Sequence, residues 1–465
     1  MVPTIMITPA MKRNRTIIPT EILNMNASVS LPQTSIRVAA NDMFLPVVMV
    51  FVEQSSLALG LGKTEALKMT LAAEELFLHL CRVVIPNQDD VRIRCIRKGH
   101  FVQSDFSFPE TSFSMQAFNL TSTPHPLENA DFDEMRLILA SRSVDRLKIR
   151  RKGNHLRISL IKEKKYPLAQ ELAELPAPFA GNDFAIRCPG PDELKFLTPL
   201  TRAFYPDRCL PVFFQYPGML VDMVQCGLYH ALIAAGPAGE IIGGMLWHLL
   251  SDRTVEAVGP YVFGDSEPDR IVGSLIEACI SEAGRTSAVA MICHPPAPDI
   301  CSEYFEFLGD MDRYSAAGVL IRQPSWFRLM HEDMGCVVWT PVELEAYLRQ
   351  TYGRLFLPRE IRKVTDDGET QPAHSVLSTQ IDRTRSQVDL DILWPGVDIE
   401  DNLIRHLQLF RNEGIRNVVF EIDLGCAWKS AAIPCLLRNG FRPVLFLPYA
   451  GEGDILLFQL FLCTP

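Results

Sequence analysis

The chain has 465 residues, of which 48 % are hydrophobic and 22 % charged, and a formal net charge of −10. That length exceeds what one core supports; at roughly 150 residues per domain it predicts about three folded units rather than a disordered chain. The negative charge argues against general nucleic-acid binding, and no apolar run reaches the roughly 18 residues of a membrane span. Twelve scattered cysteines form no CxxC pair and read as reduced, mostly buried thiols. The opening "MVPTIMITPAMKRNRTIIPTE" places its charges after a proline-broken apolar part, the reverse of a secretory signal, so a cytoplasmic protein is expected.

Residues 1–30 read as a lead-in and 31–165 as a first domain. In it a strand precedes the helices "LPVVMVFVEQSSLALGL" and "GKTEALKMTLAAEELFLHLCRVV". "DVRIRCIRKGHFVQSDFSF" predicts two strands turning near Lys98 and Gly99, and "DFDEMRLILASRSVDRL" a helix. The basic hairpin "LKIRRKGNHLRISLIKEKK" closes the unit, either as a solvated face or as a docking face for an acidic partner. Proline-rich residues 166–183 read as a linker. The second domain, 184–325, predicts a strand and helix in "FAIRCPGPDELKFLTPLTRAFY" and a hairpin turning at Pro237 to Gly239. Further helices are expected in "DRIVGSLIEACISEAG" and "ICSEYFEFLGD", flanking the strand "SAVAMICHP". The third, 326–465, repeats helix, strand and helix in "EDNLIRHLQLFRNEG", "RNVVFEIDL" and "KSAAIPCLLRNGF". Asp269 and Glu400, and likewise Gly309 and Gly440, are 131 positions apart, which suggests a duplicated fold.

The first domain resembles the histidine-kinase-like ATPase fold, and most closely the anti-sigma-factor serine kinases. That resemblance implies a Glu-x-x-x-Asn helix, where Glu75 matches the Glu and His79 stands at the Asn. It implies an Asp-x-Gly-x-Pro motif, met by Asp105 and Pro109 with Ser107 in place of glycine. It also implies a Gly-x-Gly phosphate loop, where Glu134 and Arg136 stand instead. His79 is a poor Mg²⁺ ligand, and Glu134 sets a negative charge where backbone N–H groups would cradle phosphates.

Residues 184–325 resemble the GNAT acyltransferase superfamily in the opening strand and helix, the hairpin "ALIAAGPAGEIIGGMLW" and the late segment "YFEFLGD". The resemblance implies an acyl-CoA loop at "PDRIVGS", with Arg270, Gly273 and Ser274 as its residues and Tyr304 beside Phe305 at the general-acid position. Asp265, Glu267 and Asp269 are unfavourable neighbours for a pyrophosphate. The third domain is a more degenerate copy, with Leu436 at the tyrosine position. His248 reads as a core histidine and "CHPPAPDIC" as a rigid turn rather than a metal clip.

The expected fold class is α/β of the α+β kind: an ATPase-like sandwich plus tandem GNAT-like domains. The expected function is a cytosolic regulatory or scaffold protein, built from degenerate ATP-binding and acyl-CoA-binding folds, that acts through protein partners with room for one small ligand; by the first resemblance the partner is a sigma factor or an anti-sigma antagonist. No catalytic residue and no metal site are assigned; ATP and acyl-CoA are the cofactors these folds would take, and neither is firmly expected. A GNAT-type N-acyltransferase and an ATP-binding switch or kinase are the alternatives.

Overall fold

In the computed structural model the described residues are 31–84, 90–109, 118–121, 140, 142–152, 155–172, 174–175, 181, 183–206, 210–264, 268–294, 303–315, 318–364, 371–382 and 385–462. The fold is α+β, with sheets of five, seven and five strands and a two-stranded parallel pair. No helix among these residues is long and apolar enough to cross a membrane.

The first sheet contains β1 (Gln33–Ala39), β2 (Asp90–Lys98), β3 (Phe101–Pro109), β4 (Arg146–Lys152) and β5 (His155–Glu163), in the spatial order β1-β2-β3-β5-β4 and antiparallel throughout. Helices α1 (Leu45–Ala58) and α2 (Lys63–Val83) cover one face. Alternation decides which face. Val91, Ile93 and Cys95, with Val102, Phe106 and Phe108, join Leu76, Phe77 and Leu80 of α2 in one core, so the residues between them point away. The β2–β3 turn uses Gly99 at φ +60°, and a Cβ there would come within 2.5 Å of Cys226 Sγ. Only glycine lets that turn seat against the second unit.

The second sheet begins with β6 (Ala185–Arg187), α3 (Pro191–Phe204) and α4 (Pro217–Gln225). It continues through β7 (His230–Ala235), β8 (Ile241–Ser251), β9 (Thr254–Val262), α5 (Pro268–Ala283), β10 (Ala290–Cys293), β11 (Glu306–Tyr314) and β12 (Leu320–Leu329), with order β11-β12-β10-β9-β8-β7-β6. The Gly243–Gly244 pair has a packing role. A Cβ on Gly243 would meet Ile271 of α5 at 3.0 Å, and one on Gly244 would meet Leu197 of α3 at 2.9 Å. The pair lets helices close on both faces of the sheet.

The third region adds β13 (Cys336–Thr340), α6 (Val342–Arg354) and β14 (Arg359–Lys363). Then come β15 (Val376–Asp382), β16 (Gln387–Trp394), α7 (Ile399–Asn412), β17 (Asn417–Asp423), α8 (Ala427–Ser430), α9 (Ile433–Arg438), β18 (Arg442–Leu447) and β19 (Ile455–Phe461). Its sheet runs β15-β16-β17-β19-β18. Strand for strand this matches β8-β9-β10-β12-β11. In each an antiparallel pair leads through a helix to a parallel strand, and two antiparallel strands follow. The crossover helices begin at Pro268 and Ile399, again 131 positions apart.

Two expectations need correction. "YFEFLGD" is not helical: β11 starts at Glu306, and Gly309 lies within it against Leu445 of β18 (3.2 Å from a built Cβ). Packing against the third sheet, with Leu308 and Met311 in its core, selects the strand. Gly309 is therefore not a helix stop equivalent to Gly440. The final helix is divided in two, because Pro434 has no N–H to continue the ladder from α8. Most of "DFDEMRLILASRSVDRL", with Glu134 and Arg136, lies outside the described residues.

Polar joints tie the units together. Asn119 donates to the Ser375 carbonyl at 2.7 Å and accepts from the Leu377 N–H and from Asn402 Nδ2. Asp222 of α4 accepts from Lys164 (2.7 Å) and Tyr166 (2.6 Å) beyond β5. Within the third region the buried Arg359 side chain pairs with Asp454 at 2.7 Å and Asp333 at 2.8 Å.

Candidate functional site

The residues expected to line a nucleotide site do not converge. Glu75 and His79 lie on α2, His79 6 % exposed. Asp105 is in mid-strand with its side chain on the opposite face of the sheet, because its neighbours Ser104 and Phe106 take the helix side. There Asp105 accepts from Arg94 (2.8 Å), Gln103 (2.6 Å) and Ser159 (2.7 Å). Burial alone would raise its pKa, but these donors outweigh it and hold the carboxyl below the usual range. Ser107 accepts from Arg157 Nε at 3.2 Å, and Pro109 ends the strand. The sheet separates Glu75 and His79 from Asp105 and Ser107, which corrects the expectation of one shared pocket.

The expected acyl-CoA loop is also arranged differently. Helix α5 begins at Pro268, so Gly273 sits in its second turn, with its N–H inside the helical ladder. Tyr304 is in a turn rather than on a helix. Its hydroxyl donates to Glu277 Oε1 at 3.0 Å and passes 3.2 Å from where a Cβ of Gly273 would be. Gly273 thus makes room for a phenol ring. Arg270 stacks over Phe184 with Cζ 5.1 Å from the ring centre, Ser274 is half-buried, and Phe305 belongs to the core. Leu436 is likewise core.

A different cluster lies where the second and third sheets meet. Across β8, β9, β10 and β12 one row of residues reads His248, Glu256, Ile292, Phe327. Ile292 and Phe327 pack into the third region's core. The third sheet turns Val388, Leu390, Ile392, Val418, Phe420 and Ile422 to its buried side, which leaves Asp389, Asp391 and Glu421 on the other. Gln459 on this sheet donates to the Asp312 carbonyl, and Asn417 exchanges two 2.7 Å hydrogen bonds with the Tyr314 backbone, so the two units are in direct contact.

Charge is concentrated there. His248 Nε2 and Glu256 Oε2 are 2.8 Å apart, with the Tyr229 ring 4.3 Å from the imidazole. Lys429 pairs with Asp391 at 2.6 Å, and Gln387 donates to Asp389 at 2.7 Å. Burial pushes Asp389 and Asp391 up. Glu421 is pushed up to about 7, first by burial and then by Asp389 and Asp391, with Lys429 opposing and Glu256 adding across the interface. His294, its Nδ1 2.6 Å from Ser325 Oγ, is held low by burial despite Glu256. A half-buried carboxyl that titrates near neutrality beside other acids can take up a proton or hold a cationic amine. No group of three or more His, Cys, Asp or Glu among the described residues is arranged to hold a metal ion.

Sequence reasoning did not single out these acids. Their signal was the alternation in "VDLDI" and "FEID", which sets acids on one face of two apolar strands. His248, expected as a satisfied core residue, has its partner in Glu256.

No family model matches the chain, and no curated protein is similar to it. Solved acetyltransferases are similar in structure. An acetyltransferase from Salmonella typhimurium, solved with acetyl-CoA, shares 16 % identity over 33 % of this chain and 97 % of its own, at a TM-score of 0.27. An N-acetyltransferase from Staphylococcus aureus Mu50 shares 14 % over 32 % of this chain and all of its own, at 0.27. An aminoglycoside 6′-acetyltransferase of type Ii shares 13 % over 32 % of this chain and 97 % of its own, at 0.26.

Proposed function

We propose that the chain is a regulatory or scaffold protein that uses acyltransferase-like and ATPase-like folds to present surfaces to a protein partner. The observation that carries this reading is Tyr304, whose hydroxyl covers Gly273 while the Gly273 N–H is spent within α5. A pyrophosphate needs free N–H groups and open space, and Gly273 offers neither. The closed donor set around Asp105 supports the same reading for the first domain. A sigma factor or an anti-sigma antagonist is the partner class that the first-domain resemblance implies. Isothermal titration tests the reading: acetyl-CoA and ATP–Mg²⁺ should bind more weakly than about 1 mM, near −4 kcal/mol. Micromolar acetyl-CoA binding that disappears in Gly273→Glu would overturn it.

The acidic cluster between the second and third sheets favours a second reading, N-acyl transfer to an amine. In this reading Glu421, whose pKa is raised to about 7, would accept the proton of a cationic acceptor. Acetylation of an amine by purified protein, lost in Glu421→Gln, would establish this reading; no turnover above background removes it.

A further inference from the structure

The outer face of the first sheet carries a charge opposite to that of the whole chain. Strand register places Arg37, Arg92, Arg157 and Arg150 in one row, with Ser107 between Arg92 and Arg157. The next row holds Arg94 and Lys148, and the third holds Arg146. Lys98 shares the face. Three acids accompany these eight bases among the described residues: Asp90 paired with Arg37, Asp105 with Arg94, and Glu163 with Arg146. Arg92, Lys148, Arg150 and Arg157 are exposed and have no ion pair with a described residue. Partial desolvation and then Arg146, Arg150 and Lys98 hold the Lys148 pKa low, so like charge gathers around Lys148.

We propose that this face is the docking site for an extended acidic polypeptide segment of a partner protein. The proposal rests on the regulatory reading above and names the surface that reading requires. Side chains two apart on one face of a strand recur about every 6.6–7 Å, so acids at alternate positions of an extended segment would meet successive basic rows. Six of the eight bases are arginines, whose planar forks suit carboxylates. Phe101 on this face lies under Arg146, with Cζ 5.2 Å from the ring centre, so it is not a free stacking platform of the kind that single-stranded nucleic acid uses. The net charge of −10 repels a polyanion at long range.

Fluorescence anisotropy with a labelled oligoglutamate peptide tests the proposal on the full chain. The peptide should bind at low salt, weaken about tenfold or more as ionic strength rises past about 0.3 M, and lose about tenfold or more in R92Q/K148Q/R150Q/R157Q. All four positions are exposed, so circular dichroism should show the variant folded. Absence of binding by the wild type, equal affinity in the folded variant, or tighter binding of a thymidine oligonucleotide of equal charge would each overturn the proposal. Acetyl-CoA binding would overturn the regulatory reading without changing the peptide result, so the two failures can be told apart.

Discussion

Replacing Glu421 by glutamine should stabilise the protein at alkaline pH and leave it unchanged in acid. Glu421 has a folded-state pKa of about 7 against an ordinary value of 4.5, so the folded form holds the proton more tightly than the unfolded chain. Stability from this site is fully present below about pH 4.5 and is lost as pH rises through about 7. At about 1.4 kcal/mol per pH unit the full loss would be about 3 kcal/mol. Glu421 is half-buried and titrates with Asp389 and Asp391, so about 1–2 kcal/mol is expected. Glutamine cannot ionise and escapes the loss. Scanning calorimetry should place the E421Q transition of this unit about 2–8 °C above wild type at pH 8, with the curves coinciding at pH 4.5. A difference that is the same at both pH values, or wild type more stable at pH 8, would refute the assignment of this carboxyl to a partly buried acidic cluster.

Arg359→Leu should cost about 3–5 kcal/mol, because it strands Asp333 and Asp454 without a counter-ion in the interior; denaturant unfolding measures it, and a loss below about 1 kcal/mol would contradict the buried triad. Gly99→Val forces a side chain at φ +60° into Cys226 and should unseat the first unit from α4, seen as faster proteolysis between residues 166 and 183; an unchanged cleavage rate would count against that contact. Asn402→Ala removes hydrogen bonds to Asn119 and Ser375 and should cost about 1–3 kcal/mol in thermal or denaturant unfolding.

The periodic parts of the fold were readable from the chain. Apolar residues at helical spacing in 63–83 suffice for α2, and the alternation in "DVRIRCIRK" suffices for β2. The glycine pair 243–244 was visible as a motif, but its reason, two helices closing on opposite faces, is tertiary. "YFEFLGD" misled because a short apolar run fits either period, and β18, on which this strand packs, is over 130 residues away in sequence. The site was harder still. Motif spacing brought Glu75 and Asp105 together in one expected pocket, yet period-2 alternation along β3 alone puts Asp105 on the face away from α2. Glu421 and Glu256 meet only because two sheets pack against each other, which no local pattern discloses.

The most direct test of the central claim is a crystal structure of the protein soaked in millimolar acetyl-CoA. The regulatory reading predicts Tyr304 still over Gly273 and no pyrophosphate at the start of α5; density for a pyrophosphate against residues 268–273, with the Tyr304 ring displaced, would contradict it.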